Sequence, residues 1–121
     1  MIVYLDLPNP PGVNQYYRNV RGRMVLSAKG RDYKTTVAFE VSNQCSIRFG
    51  AAKLKIKVQF HPATKGRVDL DGKLKSLLDA LQFSGLFDDD GNIDDLHIVR
   101  MEPVKNGRVT VIIEDIVDDT V

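Results

Sequence analysis

Eight residues in the middle of the chain, Lys53-Leu-Lys-Ile-Lys-Val-Gln-Phe60, alternate polar and apolar without a break. Successive side chains of a strand point to opposite faces, so this run must have one face in a core and the other in water. Lys53, Lys55 and Lys57 then share the wet face. Something apolar has to cover the other, and the chain supplies it almost at once. Between Leu70 and Leu81 the apolar residues fall at 70, 74, 77, 78 and 81, within about 100° of arc on a helix. A half-buried strand followed by an amphipathic helix confines the fold to a sheet covered by helices.

The flanking segments fill in that scheme. Ile2-Val-Tyr-Leu-Asp-Leu7 reads as a strand, and Pro8-Asn-Pro-Pro-Gly12 closes it, because such a run is neither helix nor central strand. A rigid, extended loop is expected to continue through Asn14-Gln-Tyr-Tyr-Arg-Asn-Val-Arg-Gly-Arg23, where aromatics and arginines interleave, and Met24 to Leu26 form a short extended piece. Ser27 offers an N-cap to a helix over about 28–44, carried by Tyr33, Val37, Ala38, Phe39 and Val41 and broken by Arg48 to Gly50. Gly85 stops the second helix, and two strands, Leu96 to Val104 and Arg108 to Ile113, end the chain. Asn106-Gly107 between them predicts a hairpin. The order predicts an α+β single domain over 1–121: a small mixed or antiparallel sheet of about four strands, covered by two main helices.

Composition removes several classes of protein. The 121 residues suffice for one core. No stretch of about 18 apolar residues occurs, so no membrane span is expected. Met1-Ile-Val-Tyr-Leu-Asp-Leu-Pro8 meets charge and proline too early for an export signal, which points to the cytoplasm. Cys45 alone makes no intrachain disulfide, and with His61 and His97 it makes no zinc set; it reads as core packing. The net charge of +1 conceals a split. Through Arg67 there are 12 Lys and Arg against 3 acids, a balance of +9, and from residue 68 onward 5 against 13, a balance of −8. Thirteen of the 16 acids are Asp, a short carboxylate suited to caps, turns and hard-metal sites.

Two clusters of Asp carry the chemistry. Asp69 and Asp71 bracket Leu70 at the entry to the second helix, and in extended chain their Cα atoms lie about 6.6 Å apart on one side, so both carboxylates converge on one ion. Lys75 lies four residues beyond Asp71, about 40° round the helix. A first-turn Asp that only caps the helix needs no metal, and that alternative stands beside the first. Asp88-Asp89-Asp90 is the second cluster, pinned to the core by Phe87 and Ile93; without that anchoring such a run is ordinary solvated loop. A calcium-loop reading fails, since with Gly91 in sixth place the first and twelfth positions are Leu86 and His97. If the clusters meet, three or four carboxylates suit Mg²⁺, with Mn²⁺ as a substitute, and a phosphodiester substrate. The basic half would hold phosphates through Arg18, Arg21, Arg23, Lys29, Arg31, Lys34 and the Lys53/55/57 face, with Tyr16 and Tyr17 as a stacking surface.

With these residues in place the sequence resembles the RusA family of Holliday-junction resolvases, small endonucleases of bacteria and their prophages. The resemblance runs over nearly the whole chain: Leu7-Pro-Asn-Pro-Pro-Gly-Val-Asn-Gln-Tyr-Tyr-Arg18, Arg21-Gly-Arg23, Ser27-Ala-Lys-Gly30, Asp69-Leu-Asp71, Lys75, Asp79-Ala-Leu81, Gly85 and Asp89-Asp90. It implies that Asp69, Asp71 and Asp90 are metal ligands and catalytic, that Asp89 assists as a fourth ligand, and that Lys75 is the catalytic-site lysine. Asn14 and Arg67 join the residues named above as expected DNA contacts. It implies a homodimeric, Mg²⁺- or Mn²⁺-dependent nuclease that binds four-way DNA and makes paired symmetric nicks, working in the cytoplasm of a bacterial or phage-infected cell at the nucleoid. The family often has Asn after Asp-x-Asp, and here the residue is Gly72. A dimer suits a substrate of approximate two-fold symmetry. Two other readings remain: a non-catalytic DNA-binding or architectural module whose Asp clusters are structural, and a metal-dependent nuclease of other branched or single-stranded DNA.

Overall fold

The computed structural model describes residues 1–66 and 69–117. Six strands and three helices follow in the order β1 (Ile2–Pro8), α1 (Val13–Tyr16), β2 (Tyr17–Val20), β3 (Arg23–Leu26), α2 (Ala28–Gln44), β4 (Leu54–His61), α3 (Leu70–Phe83), β5 (Ile93–Arg100) and β6 (Arg108–Asp115), with one 3-10 turn at Asp90–Asn92. The main sheet has the strand order β1-β6-β4-β5, and β2 and β3 form a separate ribbon. β4 pairs antiparallel with β6 and parallel with β5. This is the α+β architecture the sequence predicts, with a mixed four-stranded sheet and two long helices.

The alternation in β4 does what its period requires. Leu54, Ile56, Val58 and Phe60 are buried while Lys55 and Lys57 are exposed, and Val3, Leu5, Leu7 on β1 and Val109, Val111, Ile113 on β6 join the same buried cluster. Tyr33, Val37 and Val41 of α2 and Leu77, Ala80 and Leu81 of α3 cover that face. Burying one such Leu or Val is worth about 1.5–3 kcal/mol. Among the described residues the helices pack on this face, and the opposite one presents Lys55 and Lys57 to water. Cys45 is half-buried against the core, as its packing role requires.

Each long helix begins on the cap the sequence offers. The Ser27 hydroxyl accepts from the Gly30 N–H at 3.0 Å, and the Asp69 carboxylate accepts from the Asp71 N–H at 3.1 Å. Gly85, at φ +83°, follows the end of α3. The far end of α2 is tied to β1 through Gln44, whose side chain accepts from the Asp6 N–H at 2.8 Å and donates to the Asp6 carbonyl at 2.7 Å. Among the described residues no helix is long and apolar enough to cross a membrane.

Three local expectations are corrected. The segment after the prolines is not one extended loop: α1 makes a single turn, and β2 and β3 form a two-residue hairpin, Val20 opposite Arg23. Arg21 (φ 52°) and Gly22 (φ 78°) supply the two left-handed residues of that turn, and the Asn19 side chain accepts from the Gly22 N–H at 2.9 Å. Asn106 and Gly107 do turn, at φ 68° and 69°, yet β5 and β6 do not pair; β4 lies between them. The reason is α3, which returns the chain so that β5 enters parallel to β4 and occupies its free edge. β5 also starts at Ile93 and ends at Arg100, because pairing with Leu54 begins there. The sequence reads Asp118 to Val121 as a frayed end, and these residues lie outside the described ones.

Gly30 shows how tightly the ribbon's root meets α2. A Cβ there would come within 2.4 Å of the Tyr16 carbonyl oxygen and 2.8 Å of a Leu26 methyl. Backbone cannot retreat as a flexible side chain can. Gly30→Ala is therefore expected to destabilise the fold by about 1–3 kcal/mol, although alanine is ordinarily the better helix residue by about 1 kcal/mol. A urea-unfolding midpoint at or above the native value would refute this close packing.

Candidate active site

The prolines that end β1 are built into the site. Pro8, Pro10 and Pro11 have no N–H to donate, so their carbonyls need donors from elsewhere. The helices supply one each: the Tyr33 hydroxyl donates to the Pro8 carbonyl at 2.9 Å, the Lys73 ammonium to the Pro10 carbonyl at 2.6 Å, and the Ser76 hydroxyl to the Pro11 carbonyl. Lys73 also donates to the Asn9 side chain at 3.3 Å and lies 5.8 Å from the centre of the Phe60 ring. Burial first, and then the nearby Lys29 charge, lower its ammonium below the usual lysine value.

Held this way, α1 stands beside the head of α3 and leaves a cleft of about 320 Å³, lined by Gly12, Val13, Asn14, Gln15, Asp69, Gly72 and Lys73. Asp69 uses Oδ1 to cap α3. A Cβ at residue 72 would meet Asp69 Oδ2 and the Val13 nitrogen at 3.6 Å, an ordinary contact, so space alone does not demand glycine. The Asp71 carboxylate is exposed and has no hydrogen bond or ion pair among the described residues. The same is true of the Lys75 ammonium. Lys29 donates to Gln15 on the rim of the cleft at 3.3 Å.

The second cluster stands elsewhere. The Asp88 N–H donates to the Gly50 carbonyl at 3.0 Å, and the Asp90 N–H to the Gln82 side chain at 3.0 Å. Gln82 is in the last turn of α3, whereas Asp69 and Asp71 are at its first. At about 1.5 Å per residue an unbroken helix keeps these ends roughly 16 Å apart along its axis. Asp89 and Asp90 therefore do not join Asp69 and Asp71 within one chain, contrary to the expectation that one helix and its turn let the clusters meet. Among the described residues no three His, Cys, Asp or Glu side chains of one chain form a metal-binding group.

The expected DNA contacts also divide. Asn14 is exposed on the cleft, and Arg18, Arg21 and Arg23 are exposed on the β2–β3 ribbon that continues from its wall. Tyr16 is corrected: it is fully buried, its hydroxyl donates to the Asp79 carboxylate, and its ring offers no face to a base. Tyr17 is half-buried, edge-on to Tyr16 with ring centres 4.9 Å apart. Arg31 donates to the Leu26 carbonyl at 3.1 Å, and Lys34 is spent on Asp79 at 3.4 Å. The Lys53/55/57 row lies on the open face of the sheet, turned away from the cleft. Arg67 lies outside the described residues.

Sequence reasoning missed Lys73 and the Tyr16–Asp79–Lys34 group. A usable signal existed for Lys73, which flanks the apolar stripe at 70, 74, 77 and 81, where a long amine is drawn inward. None existed for Asp79, whose partners come from α1 and α2.

The chain matches the family model described as Endodeoxyribonuclease RusA over residues 8–114. It is 36% identical over 111 residues to the crossover junction endodeoxyribonuclease RusA of Escherichia coli K12, covering 92% of each chain. It is 35% identical over 112 residues to the corresponding protein of Enterobacteria phage 82, covering 93% of each, and 35% identical over 111 residues to that of Shigella sonnei, covering 92% of each.

The buried phenols give this site an alkaline signature. Burial, then the bond to Asp79 and its charge, push the Tyr16 hydroxyl well above its ordinary value, and burial does the same to Tyr33. Above about pH 10 the unfolded chain loses these protons while the folded chain keeps them, so stability falls as pH rises. Tyr16→Phe is expected to lower stability near neutrality by roughly 1–3 kcal/mol and to make the alkaline decline shallower. Urea unfolding at about pH 8 and pH 10.5 reads both; an unchanged decline would remove Tyr16 from this account.

Proposed function

The chain belongs to the RusA family of endodeoxyribonucleases, and from that premise we propose that it resolves four-way DNA junctions by divalent-metal-dependent, paired and symmetric phosphodiester hydrolysis. The observation that carries the reading is the cleft at the head of α3. Asp69 lines it, Asp71 stands two residues on with its carboxylate unpaired among the described residues, and a ribbon bearing three arginines leads from its wall.

The donor set fits Mg²⁺ or Mn²⁺, since every candidate ligand is a carboxylate and Asp71 is free to take one up. Asp69 and Asp71 would hold the ion from one protomer, and Asp90, with Asp89 assisting, would come from the other. The length of α3 supports this division. Two copies related by a two-fold axis with their α3 helices antiparallel bring the first turn of one beside the last turn of the other, and produce two equivalent sites. A bound ion would polarise the scissile phosphate and ready a water for attack.

The chain's own residues do the rest. Arg18, Arg21, Arg23 and Lys29 hold phosphates, Arg67 adds another contact, and Asn14 lines the path to the carboxylates. Lys75, one turn beyond Asp71 and unpaired among the described residues, stands ready to balance charge on the phosphorus in the transition state. The enzyme works on branched DNA in the cytoplasm of a bacterial or phage-infected cell, at the nucleoid. A structural role for the acids is the second reading, favoured by the cap that Asp69 makes on α3.

Two measurements decide between them. Asp71→Asn is expected to abolish cleavage of a synthetic four-way junction while binding survives or tightens, because a negative charge beside a phosphate is lost. Mixing inactive Asp71→Asn and Asp90→Asn chains then tests the division of ligands. If each site takes Asp71 from one chain and Asp90 from the other, the mixed dimer holds one intact site and nicks one strand. If both ligands come from the same chain, no mixture recovers any cleavage.

A further inference from the structure

The β2–β3 ribbon carries apolar side chains where no core requires them. Met24 is 63% exposed, Val20 37% and Val25 36%. The register sets Val20 opposite Arg23, Arg18 opposite Val25, and Asn19 opposite Met24. Alternation then places Val20, Val25, Arg18 and Arg23 on one face of the ribbon and Met24 on the other. Only Tyr17 and Leu26, at the ribbon's root, pack against the core. Isolated surface apolar residues are ordinary. Three on a ten-residue ribbon, on both of its faces, beside three arginines and with no acid from 17 to 26, form a pattern.

We infer that the ribbon is a wedge for the branch point: Met24 on one face and Val20 and Val25 on the other meet base-pair surfaces bared at the crossover, while Arg18, Arg21 and Arg23 take the flanking phosphates. This rests on the junction-resolving reading above and deepens it. In a linear duplex every internal base-pair face is stacked on its neighbour, so a wedge finds nothing to cover without unstacking a step. At a crossover the stacks of adjoining arms are interrupted, and an apolar insertion covers faces that are already open. The two faces of one thin ribbon serve two stacks at once. The Arg21-Gly22 turn matches the twist of the strands and holds the ribbon in shape, and the arginines balance the charge of the surrounding phosphates. The same residues that look misplaced on a free surface are suited to discriminating a junction from duplex.

The test uses the full chain, a labelled four-way junction and a linear duplex of the same sequence, without added divalent cation so that nothing is cut. A 2-aminopurine beside the branch point reports whether its exposed face is covered by the bound ribbon. Met24→Ser with Val20→Ser is expected to weaken junction binding at least about tenfold, the worth of partly covering two apolar side chains, to leave duplex binding unchanged, and to abolish the fluorescence change. Met24→Ser alone, a change at the most exposed of the three, is expected to act in the same direction, and Met24→Leu to keep native behaviour. Junction affinity retained by the serine variants overturns the wedge and leaves the nuclease reading standing. Equal losses on junction and duplex also overturn it, in favour of a groove contact. A native chain that does not prefer junction to duplex overturns both readings together.

Discussion

Three proline carbonyls with nowhere else to turn hold this molecule's working end together. Past Pro8, the last residue of β1, Pro10 and Pro11 extend neither ladder nor helix, so the chain crosses from the sheet to the helix layer as irregular chain. Its acceptors are met by Tyr33 from α2 and by Lys73 and Ser76 from α3. These bonds fix where α1 stands, and α1 forms the wall of the cleft against Asp69. Tyr16 repeats the principle one turn later by donating to Asp79 on α3. The ribbon that follows is thus rooted on the same helix that carries the carboxylates. Under the proposed function, a DNA contact on the ribbon and the chemistry at Asp71 share one rigid support, as positioning within fractions of an ångström requires.

The second constraint is the length of α3. The parallel entry of β5 beside β4 requires a return crossing, and the helix provides it by spanning the sheet from one end to the other. Its caps then necessarily lie at opposite ends of the molecule. Asp69 and Asp71 start the helix, and the Asp88–Asp90 run follows its close, so the topology that forms the sheet also parts the acids. An α+β fold of this size has no second layer in which to bend the loop back. Under the proposed function, four carboxylates gather by using another copy.

Much of this was legible in the sequence. The periods of β4 and α3, the caps at Ser27 and Asp69 and the stop at Gly85 are local, and local signals survived folding. What failed was partnership. Asn106-Gly107 specifies a turn and says nothing about which strand will occupy the space between its arms, and here β4 does. Arg21-Gly22 forms the same kind of turn with a weaker sequence signature, and its hairpin was read as loop. Tyr16 looked like a stacking ring because its neighbours are polar; its burial depends on Asp79, 63 residues away. Spacing brought the two acidic clusters close along the chain, and the rigidity of the helix between them kept them apart.

The charge split is sharpened by the sheet. The +9 half of the chain includes the β4 lysines, but these project from the open face of the sheet, where Lys55 lies across from Glu114 on β6 and Asp95 on β5. Opposite charges on neighbouring strands of one face attract and largely cancel at a distance. Lys34 is likewise engaged with Asp79. On the ribbon Arg18, Arg21 and Arg23 have no acid beside them in sequence from 17 to 26, and Lys29 adds a charge at the rim of the cleft. On the other side of the balance, the carboxylates of Asp71 and the Asp88–Asp90 run make no ion pair among the described residues. The near-neutral composition thus conceals two local excesses, cationic on the ribbon and anionic at the Asp clusters.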